Sequence, residues 1–159
     1  MEALALQTDK IKITIEKTNQ EIPSVNICLE DGTWSGLTFH GVPGGHEFTS
    51  FILGIYNVAG PGQKIEQTYL ERIDKINKEI NIKIIVSLSC TMCPELVTSA
   101  QRIASLNKQI TTEVYDIQHF KQLKDQYQIM SVPCMVINDQ KVVFGKKNIE
   151  QILEIIENV

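Results

Sequence analysis

The chain has 159 residues, of which 43% are hydrophobic, enough for one ordinary domain with a sizeable core. Its 15 basic and 19 acidic residues give a net charge of −4, so neither nucleic acid nor an anionic membrane is indicated as the main partner. No stretch is long and apolar enough to span a bilayer, and the first residues do not form a signal peptide. We therefore expect a cytoplasmic protein.

The first part of the chain predicts short strands followed by a helix. Residues 11–16 alternate isoleucine with polar residues, which is typical of a half-buried strand. Two further strands are predicted over residues 25–29 and 37–39, and a helix is predicted from His46. That helix ends at residues 59–62, where two glycines flank a proline and mark the best boundary in the sequence. The order of these elements is β-β-β-α.

The second part has a more regular pattern. A helix over residues 63–79 leads into a nearly continuous β-branched run over residues 82–88, which is typical of a strand buried on both faces. The elements predicted after it are a helix from Pro94, a strand over 110–116, a helix over 118–127, strands over 132–137 and 142–144, and a helix capped by Asn148. From residue 82 this order is β-α-β-α-β-β-α, with the first two strands parallel and the last two antiparallel.

The strongest chemical signal is the pair Cys90 and Cys93, which directly follows the buried strand and opens a helix. The N–H groups and positive dipole end of a helix lower the pKa of a thiol placed there. A second thiol one helical turn later resolves a mixed disulfide, so Cys90 is predicted to attack and Cys93 to resolve. The negative charge of Glu95 in the same turn disfavours the thiolate form. Cys28 and Cys134 lie in strand patterns and are predicted to be buried core residues.

Two other features bear on this site. A proline at the start of a strand, Pro133 after Val132, suits a cis bond packed against the dithiol. It would leave the Val132 backbone free to pair with a substrate strand, and Thr91, Met92 and Val132 are the predicted substrate-binding residues. The alternative chemistry is a zinc site, in which His40 and His46 would complete the two cysteines, although their spacing is irregular.

Residues 80–159 resemble the thioredoxin/glutaredoxin superfamily. The sequences GGHEFTS from Gly44, VSLSCTMCP from Val86 and SVP from Ser131 together resemble the N-terminal domain of the flavoprotein subunit of bacterial alkyl hydroperoxide reductases. The resemblance covers about residues 10–159. It implies an α/β fold of two fused thioredoxin-like units, namely residues 1–61 without a dithiol and residues 62–159 with the complete β-α-β-α-β-β-α pattern.

The same resemblance implies a role for the site and for its partners. Cys90 matches the interchange thiol, Cys93 its partner and Pro133 the cis-proline. Glu47 matches an acidic residue near the dithiol, where it would exchange protons with Cys93. The dithiol would take electrons from a thioredoxin-reductase-like flavoprotein and pass them to the disulfide of a peroxiredoxin. No cofactor is expected on this chain, and FAD is expected on a partner protein or module.

Two departures from that family qualify these expectations. The strand and helix that normally begin the first unit are missing, so we expect its sheet to be short or open-edged. The Gly-rich dinucleotide fingerprints of the flavin module are also absent from these 159 residues. The alternatives are a general glutaredoxin-like protein disulfide reductase and a non-catalytic module that binds zinc through Cys90 and Cys93.

Overall fold

Residues 1–19 and 21–159 are described by a computed structural model of the chain. Its strands are β1 Ser24–Cys28, β2 Trp34–His40, β3 Ile80–Val86, β4 Ile110–Asp116, β5 Cys134–Ile137 and β6 Lys141–Phe144. Its helices are α1 Glu2–Ala5, α2 Glu47–Ala59, α3 Gln67–Asp74, α4 Cys93–Leu106, α5 Gln122–Gln126 and α6 Ile149–Glu157. Within the described ranges, none of these helices has the length and hydropathy needed to cross a bilayer.

The strands form one mixed sheet in the order β1-β2-β4-β3-β5-β6. Strands β2, β4 and β3 run parallel to one another, whereas β1 and the β5–β6 hairpin pair antiparallel with their neighbours. The predicted order of elements from β3 to α6 is confirmed, as are its parallel and antiparallel pairings. The mixed α/β thioredoxin-like architecture expected from the sequence is therefore present.

The main core lies between one face of this sheet and helices α2, α3, α4 and α6. Isoleucines of β3 alternate across the sheet: Ile82 and Ile84 face this core, and Ile85 joins a smaller cluster on the opposite face with Leu123 and Val136. All three isoleucines have no exposed surface. The continuous β-branched run in the sequence therefore forms a central strand that is covered on both sides.

One predicted strand is wrong. Residues 11–16 form no strand, and the Ile15 side chain is 72% exposed. An alternating pattern produces a stable strand only where a neighbouring strand accepts its backbone hydrogen bonds and covers its apolar face. Strand β1, which forms the edge of the sheet, pairs only with β2 in the part of the chain described. After the short helix α1, which the sequence pattern did not predict, the first part is therefore β-β-α, not β-β-β-α.

Two predicted helices are shorter than their sequence patterns indicated. Helix α3 begins at Gln67, because the segment before it is hydrogen-bonded to α2. The Asn57 side chain accepts a hydrogen bond from the Gln63 backbone N–H at 2.8 Å and donates one to the Gln63 side chain at 2.9 Å. After α3, Asn107 donates to the carbonyl oxygens of Ile73 and Ile76 at 2.7 and 2.8 Å. Helix α5 is confined to Gln122–Gln126, following a turn closed on Asp116.

Candidate functional site

Cys90 and Cys93 are joined by a disulfide bond at the carboxyl end of the central strand. Their Cα atoms are 5.6 Å apart. Helix α4 begins at Cys93 and has Pro94 in its first turn, where a missing N–H removes no intrahelical bond. Cys93 has no exposed surface, whereas Cys90 is only half-buried. The pair therefore offers one sulfur to a partner and shields the other.

The loop that carries Cys90 is a tight turn. The Cys90 N–H donates to the carbonyl oxygen of Ser87 at 2.9 Å, and the Val86 carbonyl accepts from the Ile117 N–H at the same distance. Thr91 and Met92, which lie between the two cysteines, are both exposed, and 51% of the Met92 side chain is accessible. A partly exposed sulfur and an apolar side chain thus lie in the same turn.

Pro133 lies next to the end of β3 from which this turn departs. The antiparallel register pairs Ile85 with Cys134, so the preceding residues Val132 and Pro133 continue past the last pairs of β3 towards the dithiol turn. The Val132–Pro133 bond is cis, as predicted. Val132 is half-buried and lies outside strand β5, which begins at Cys134.

The first part of the chain contributes the start of α2 to this region. The His46 N–H donates to the carbonyl oxygen of Leu88 at 2.9 Å, which connects the N-cap of α2 to the dithiol turn. Glu47 is the first residue of α2 and has no exposed surface. Neither of its carboxylate oxygens has a hydrogen-bond partner among residues 1–19 and 21–159. Burial raises the pKa of Glu47 to about 7, an effect that the nearby Ser50 hydroxyl only partly opposes.

The register between α2 and α4 places Glu47 on the face that meets α4. A Cβ built on Gly54 would lie 3.1 Å from Oε1 of Gln101, so α2 and α4 are in close contact at these two residues. Glu47 precedes Gly54 by two helical turns, and Cys93 precedes Gln101 by slightly more than two. Because the turn before α2 contacts Leu88, the two helices run side by side in the same direction. Their first turns, which contain the fully buried residues Glu47 and Cys93, are therefore neighbours.

Glu95, which the sequence indicates as unfavourable to a thiolate, forms an ion pair. Nζ of Lys146 lies 3.1 Å from Oε2 of Glu95, and both side chains are about half exposed. Lys146 is in the segment between β6 and α6, so nothing in the local sequence of the dithiol pointed to it. The positive charge partly offsets the negative charge in the first turn of α4.

The two histidines considered for a zinc site lie in different environments. Nε2 of His40 is 3.0 Å from Oε1 of Glu113, and its ring stacks on Tyr115 with a centroid distance of 4.2 Å. The side chain of His46 is exposed. No cluster of three or more histidine, cysteine, aspartate or glutamate side chains suited to a metal ion occurs within the described part of the chain.

The remaining cysteines differ from each other. Cys134 is fully buried, as predicted, and burial raises the pKa of its thiol to about 11. The prediction that Cys28 is buried is wrong, because its side chain is exposed on the edge strand β1. Val25 and Ile27 pack against the main core, whereas Cys28 follows an irregularity in the pairing of β1 with β2 and is exposed.

Comparisons with known proteins agree with this geometry. A family model described as a thioredoxin domain matches residues 80–157. The structure of the NTD_N/C domain of alkylhydroperoxide reductase AhpF from Enterococcus faecalis V583 is 38% identical, covers 97% of this chain and 70% of that chain, and superposes with a TM-score of 0.80. The fold and the disulfide define a thioredoxin-like dithiol–disulfide oxidoreductase.

Two curated relatives extend the match to complete proteins. The alkyl hydroperoxide reductase protein AhpF of Pseudomonas aeruginosa is 33% identical over 146 residues, which are 92% of this chain and 28% of the relative. A protein named NADH dehydrogenase from Ferdinandcohnia aciditolerans is 36% identical over 143 residues, 89% of this chain and 27% of the relative. The chain belongs to the family of AhpF N-terminal domains. It spans less than a third of the length of these curated relatives.

Proposed function

We propose that this chain relays electrons from a thioredoxin-reductase-like flavoprotein to the disulfide of a peroxiredoxin. The observation that carries the proposal is the Cys90–Cys93 disulfide at the start of α4, with one accessible and one shielded sulfur. Family membership supports it, since relatives are named for alkyl hydroperoxide reduction and for NADH oxidation. We place the reaction in the cytoplasm, where thiols are kept reduced.

In the first step the reduced chain attacks the acceptor. The Cys90 thiolate bonds to one sulfur of the acceptor disulfide, and the second acceptor sulfur departs as a thiolate that takes up a proton. A mixed disulfide between Cys90 and the acceptor results. The unpaired N–H groups at the start of α4 favour the thiolate form of Cys90 before this step.

In the second step Cys93 resolves the mixed disulfide. The Cys93 thiol must first lose its proton, and Glu47 is the proposed acceptor, because it is buried in the neighbouring helix turn and has a pKa near neutrality. The Cys93 thiolate then bonds to the Cys90 sulfur, and the acceptor leaves as its second thiolate. That thiolate takes up a proton, and the chain is thereby oxidised to the Cys90–Cys93 disulfide. Two electrons have passed to the acceptor, and the two protons that its thiols take up equal the proton that Cys90 released on ionising and the proton that Cys93 gave to Glu47.

The acceptor is proposed to bind across the dithiol turn and the adjoining segment before β5. Thr91 and Met92 are exposed beside the reactive sulfur, and Met92 presents apolar surface. The Val132 backbone, next to Pro133, is proposed to pair with an extended segment of the acceptor by hydrogen bonds of the kind that add a strand. These contacts would bring an acceptor sulfur in line with Cys90.

The donor and the internal organisation are part of the same proposal. Re-reduction reverses the exchange: a dithiol of the flavoprotein attacks the Cys90–Cys93 disulfide and becomes oxidised, with FAD held by that protein or module. We further propose that residues 1–61 are an abbreviated thioredoxin-like unit without a dithiol and that residues 62–159 are the active unit. The continuous sheet from β1 to β6 is compatible with such a fusion.

The decisive experiment is trapping with Cys93→Ser in a Cys28→Ser background. The reduced variant should hold a peroxiredoxin covalently through Cys90, and the matched Cys90→Ser variant should hold none. The chain without either active-site change should reduce the peroxiredoxin much faster than insulin. Equal rates on both would favour a general glutaredoxin-like reductase, and stoichiometric zinc with no reversible disulfide would favour the metal-binding module.

The role of Glu47 has its own test within that assay. Replacement by glutamine should leave formation of the mixed disulfide unchanged but slow its resolution, so that the mixed species accumulates in rapid-quench samples. We expect resolution to slow by about 100-fold or more, because a positioned general base typically contributes at least that factor. If resolution keeps its rate and pH dependence in Glu47→Gln, another group takes the Cys93 proton.

A further inference from the structure

The turn that precedes α2 is hydrogen-bonded to the turn that carries Cys90, through the carbonyl group of Leu88. Leu88 lies inside the turn closed by the hydrogen bond from Cys90 N–H to Ser87 O, at 2.9 Å. The carbonyl of the same Leu88 accepts the His46 N–H, also at 2.9 Å. Any movement of the turn before α2 therefore acts directly on the backbone two residues before Cys90.

Gly45 makes this contact possible because no side chain fits at its position. A Cβ atom built there would overlap the carbonyl oxygen of Leu88 and come within 3.1 Å of both its carbonyl carbon and its Cβ. Two of these three atoms are backbone, so they cannot yield as the end of a flexible side chain would. Gly45 also has φ of +53°, a left-handed conformation that glycine adopts at little cost.

The dithiol turn carries an exposed pair of serine side chains on its outer side. Ser87 and Ser89 have their hydroxyl oxygens 3.1 Å apart, and this contact is in an exposed position. Leu88 is half-buried and packs at the margin of the main core. A push on the Leu88 peptide would thus displace the turn more readily than it would disrupt the sheet.

We infer that Gly45 is a positioning residue for the Cys90 thiol, acting through the Leu88 peptide. The close approach of Gly45 fixes the orientation of the dithiol turn, and so the place of the Cys90 sulfur relative to the N–H groups at the start of α4. Those N–H groups stabilise a thiolate only at short range. The inference deepens the proposed function, since it assigns to the part of the chain without the dithiol a role in setting the reactivity of that dithiol.

The chain offers two matched glycine controls. Gly32 has φ of +86°, and a Cβ at its position would have nothing within 4 Å, so Gly32→Ala introduces backbone strain without crowding. Gly44 adjoins Gly45, and a Cβ there would lie 3.8 Å from Val42 O and 4.0 Å from Cδ1 of Leu88, which are ordinary contacts. Gly44→Ala therefore adds the same atom to the same turn without overlap.

The test compares Gly45→Ala with both controls in a Cys28→Ser background. The reduced proteins are alkylated with iodoacetamide over a range of pH, and modification of Cys90 is followed by mass spectrometry. We expect the midpoint for Gly45→Ala to move to higher pH and its rate of disulfide reduction to fall about 10-fold or more, as expected for a misplaced reacting group. Gly32→Ala and Gly44→Ala should keep the midpoint of the unsubstituted chain, although Gly32→Ala loses stability.

An alkylation profile of Gly45→Ala that superposes on that of Gly32→Ala would overturn the inference. If Gly45→Ala does not fold, His46→Pro takes its place: it replaces the N–H donor by a ring Cδ that points at the Leu88 carbonyl oxygen, so it displaces the same peptide, and proline suits the observed φ of −68°. His46→Pro should shift the midpoint in the same direction, and an unchanged midpoint would contradict the inference. Alkylation needs no acceptor, so it tests the role of Gly45 independently of the proposed function. If the Gly45→Ala profile is shifted but the unsubstituted chain reduces no peroxiredoxin, the proposed function fails and the inference about Gly45 stands.

Discussion

Lys146 and Glu95 form an ion pair that joins the first turn of α4 to the segment between β6 and α6, with 3.1 Å between Nζ and Oε2. Glu95 taken alone would disfavour a thiolate at the start of α4. Lys146 supplies the opposite charge from more than 50 residues away in the sequence. The electrostatic environment of the dithiol therefore depends on a part of the chain that does not otherwise belong to the site.

Removing the charge of Lys146 and removing that of Glu95 should shift the pKa of Cys90 in opposite directions. Lys146→Ala should raise it and Glu95→Gln should lower it, both modestly, because both side chains are about half exposed and solvent weakens their effect. Alkylation of Cys90 against pH at low and high ionic strength measures both shifts. The shifts should shrink in high salt, and a salt-independent effect of Lys146→Ala would argue against this origin.

Glu47 should make the stability of the oxidised chain fall as the pH rises. Its pKa is raised from 4.5 to about 7, so between these values the folded chain keeps a proton that the unfolded chain has lost. The free energy of unfolding should therefore decline from about pH 4.5 to about pH 7, by at most about 3 kcal/mol. Urea unfolding of Glu47→Gln should lack this decline.

The matched control for that measurement is Glu30→Gln, since the side chain of Glu30 is exposed. Its unfolding curve should keep the pH dependence of the unsubstituted chain. Identical pH dependence in the Glu47→Gln variant and the unsubstituted chain would show that Glu47 is ionised at neutral pH at no cost to folding.

The two free cysteines should react at very different rates in the oxidised protein. Cys28 is exposed on β1, whereas Cys134 is fully buried and the pKa of its thiol is raised to about 11. Titration with an aromatic disulfide reagent at neutral pH should therefore modify one thiol per chain quickly. Cys28→Ser should abolish that fast phase, and Cys134→Ser should leave it intact. Two fast thiols in the folded oxidised chain would contradict the burial of Cys134.

The cap of α6 should contribute measurably to stability. The Asn148 side chain accepts the Gln151 N–H at 2.9 Å, and the Gln151 side chain accepts the Asn148 N–H at 3.1 Å. Asn148→Ala should lower the free energy of unfolding by about 1 kcal/mol, with no change in Cys90 alkylation. Asn158→Ala at the other end of α6 serves as the comparison and should cost less, because its side chain donates to the Glu154 carbonyl without a reciprocal bond of the kind that pairs Asn148 with Gln151 among the described residues.

Features with a local signal in the sequence could be predicted from it. The buried run that became β3, the dithiol at the start of α4 and the cap at Asn148 each follow from neighbouring residues, and the structure has all three. The strand predicted over residues 11–16 is wrong because alternation describes the segment alone and not the partner it needs. The exposure of Cys28 depends on β1 being an edge strand, which is a property of the whole sheet.

Parts of the site that depend on distant contacts could not be predicted from residues alone. The burial of Glu47 results from the packing of α2 along α4, and only the family resemblance indicated that a carboxylate belongs near the dithiol. The contact of Gly45 with Leu88 joins segments more than 40 residues apart. The two consecutive glycines before a helix were the sequence signal available, since such a pair often marks a close backbone approach.

The parallel pairing of β2 with β4 has a thermodynamic consequence. Residues 37–40 and 112–115 are hydrogen-bonded neighbours, and α2 covers part of α4 on the same side of the sheet. If residues 62–159 were produced alone, β4 would lose its partner β2 and become an edge strand. Unprotected edge strands of this kind promote aggregation. Heat should therefore melt the molecule in one cooperative transition, with equal calorimetric and van't Hoff enthalpies, even though Cys90 and Cys93 both lie beyond residue 61.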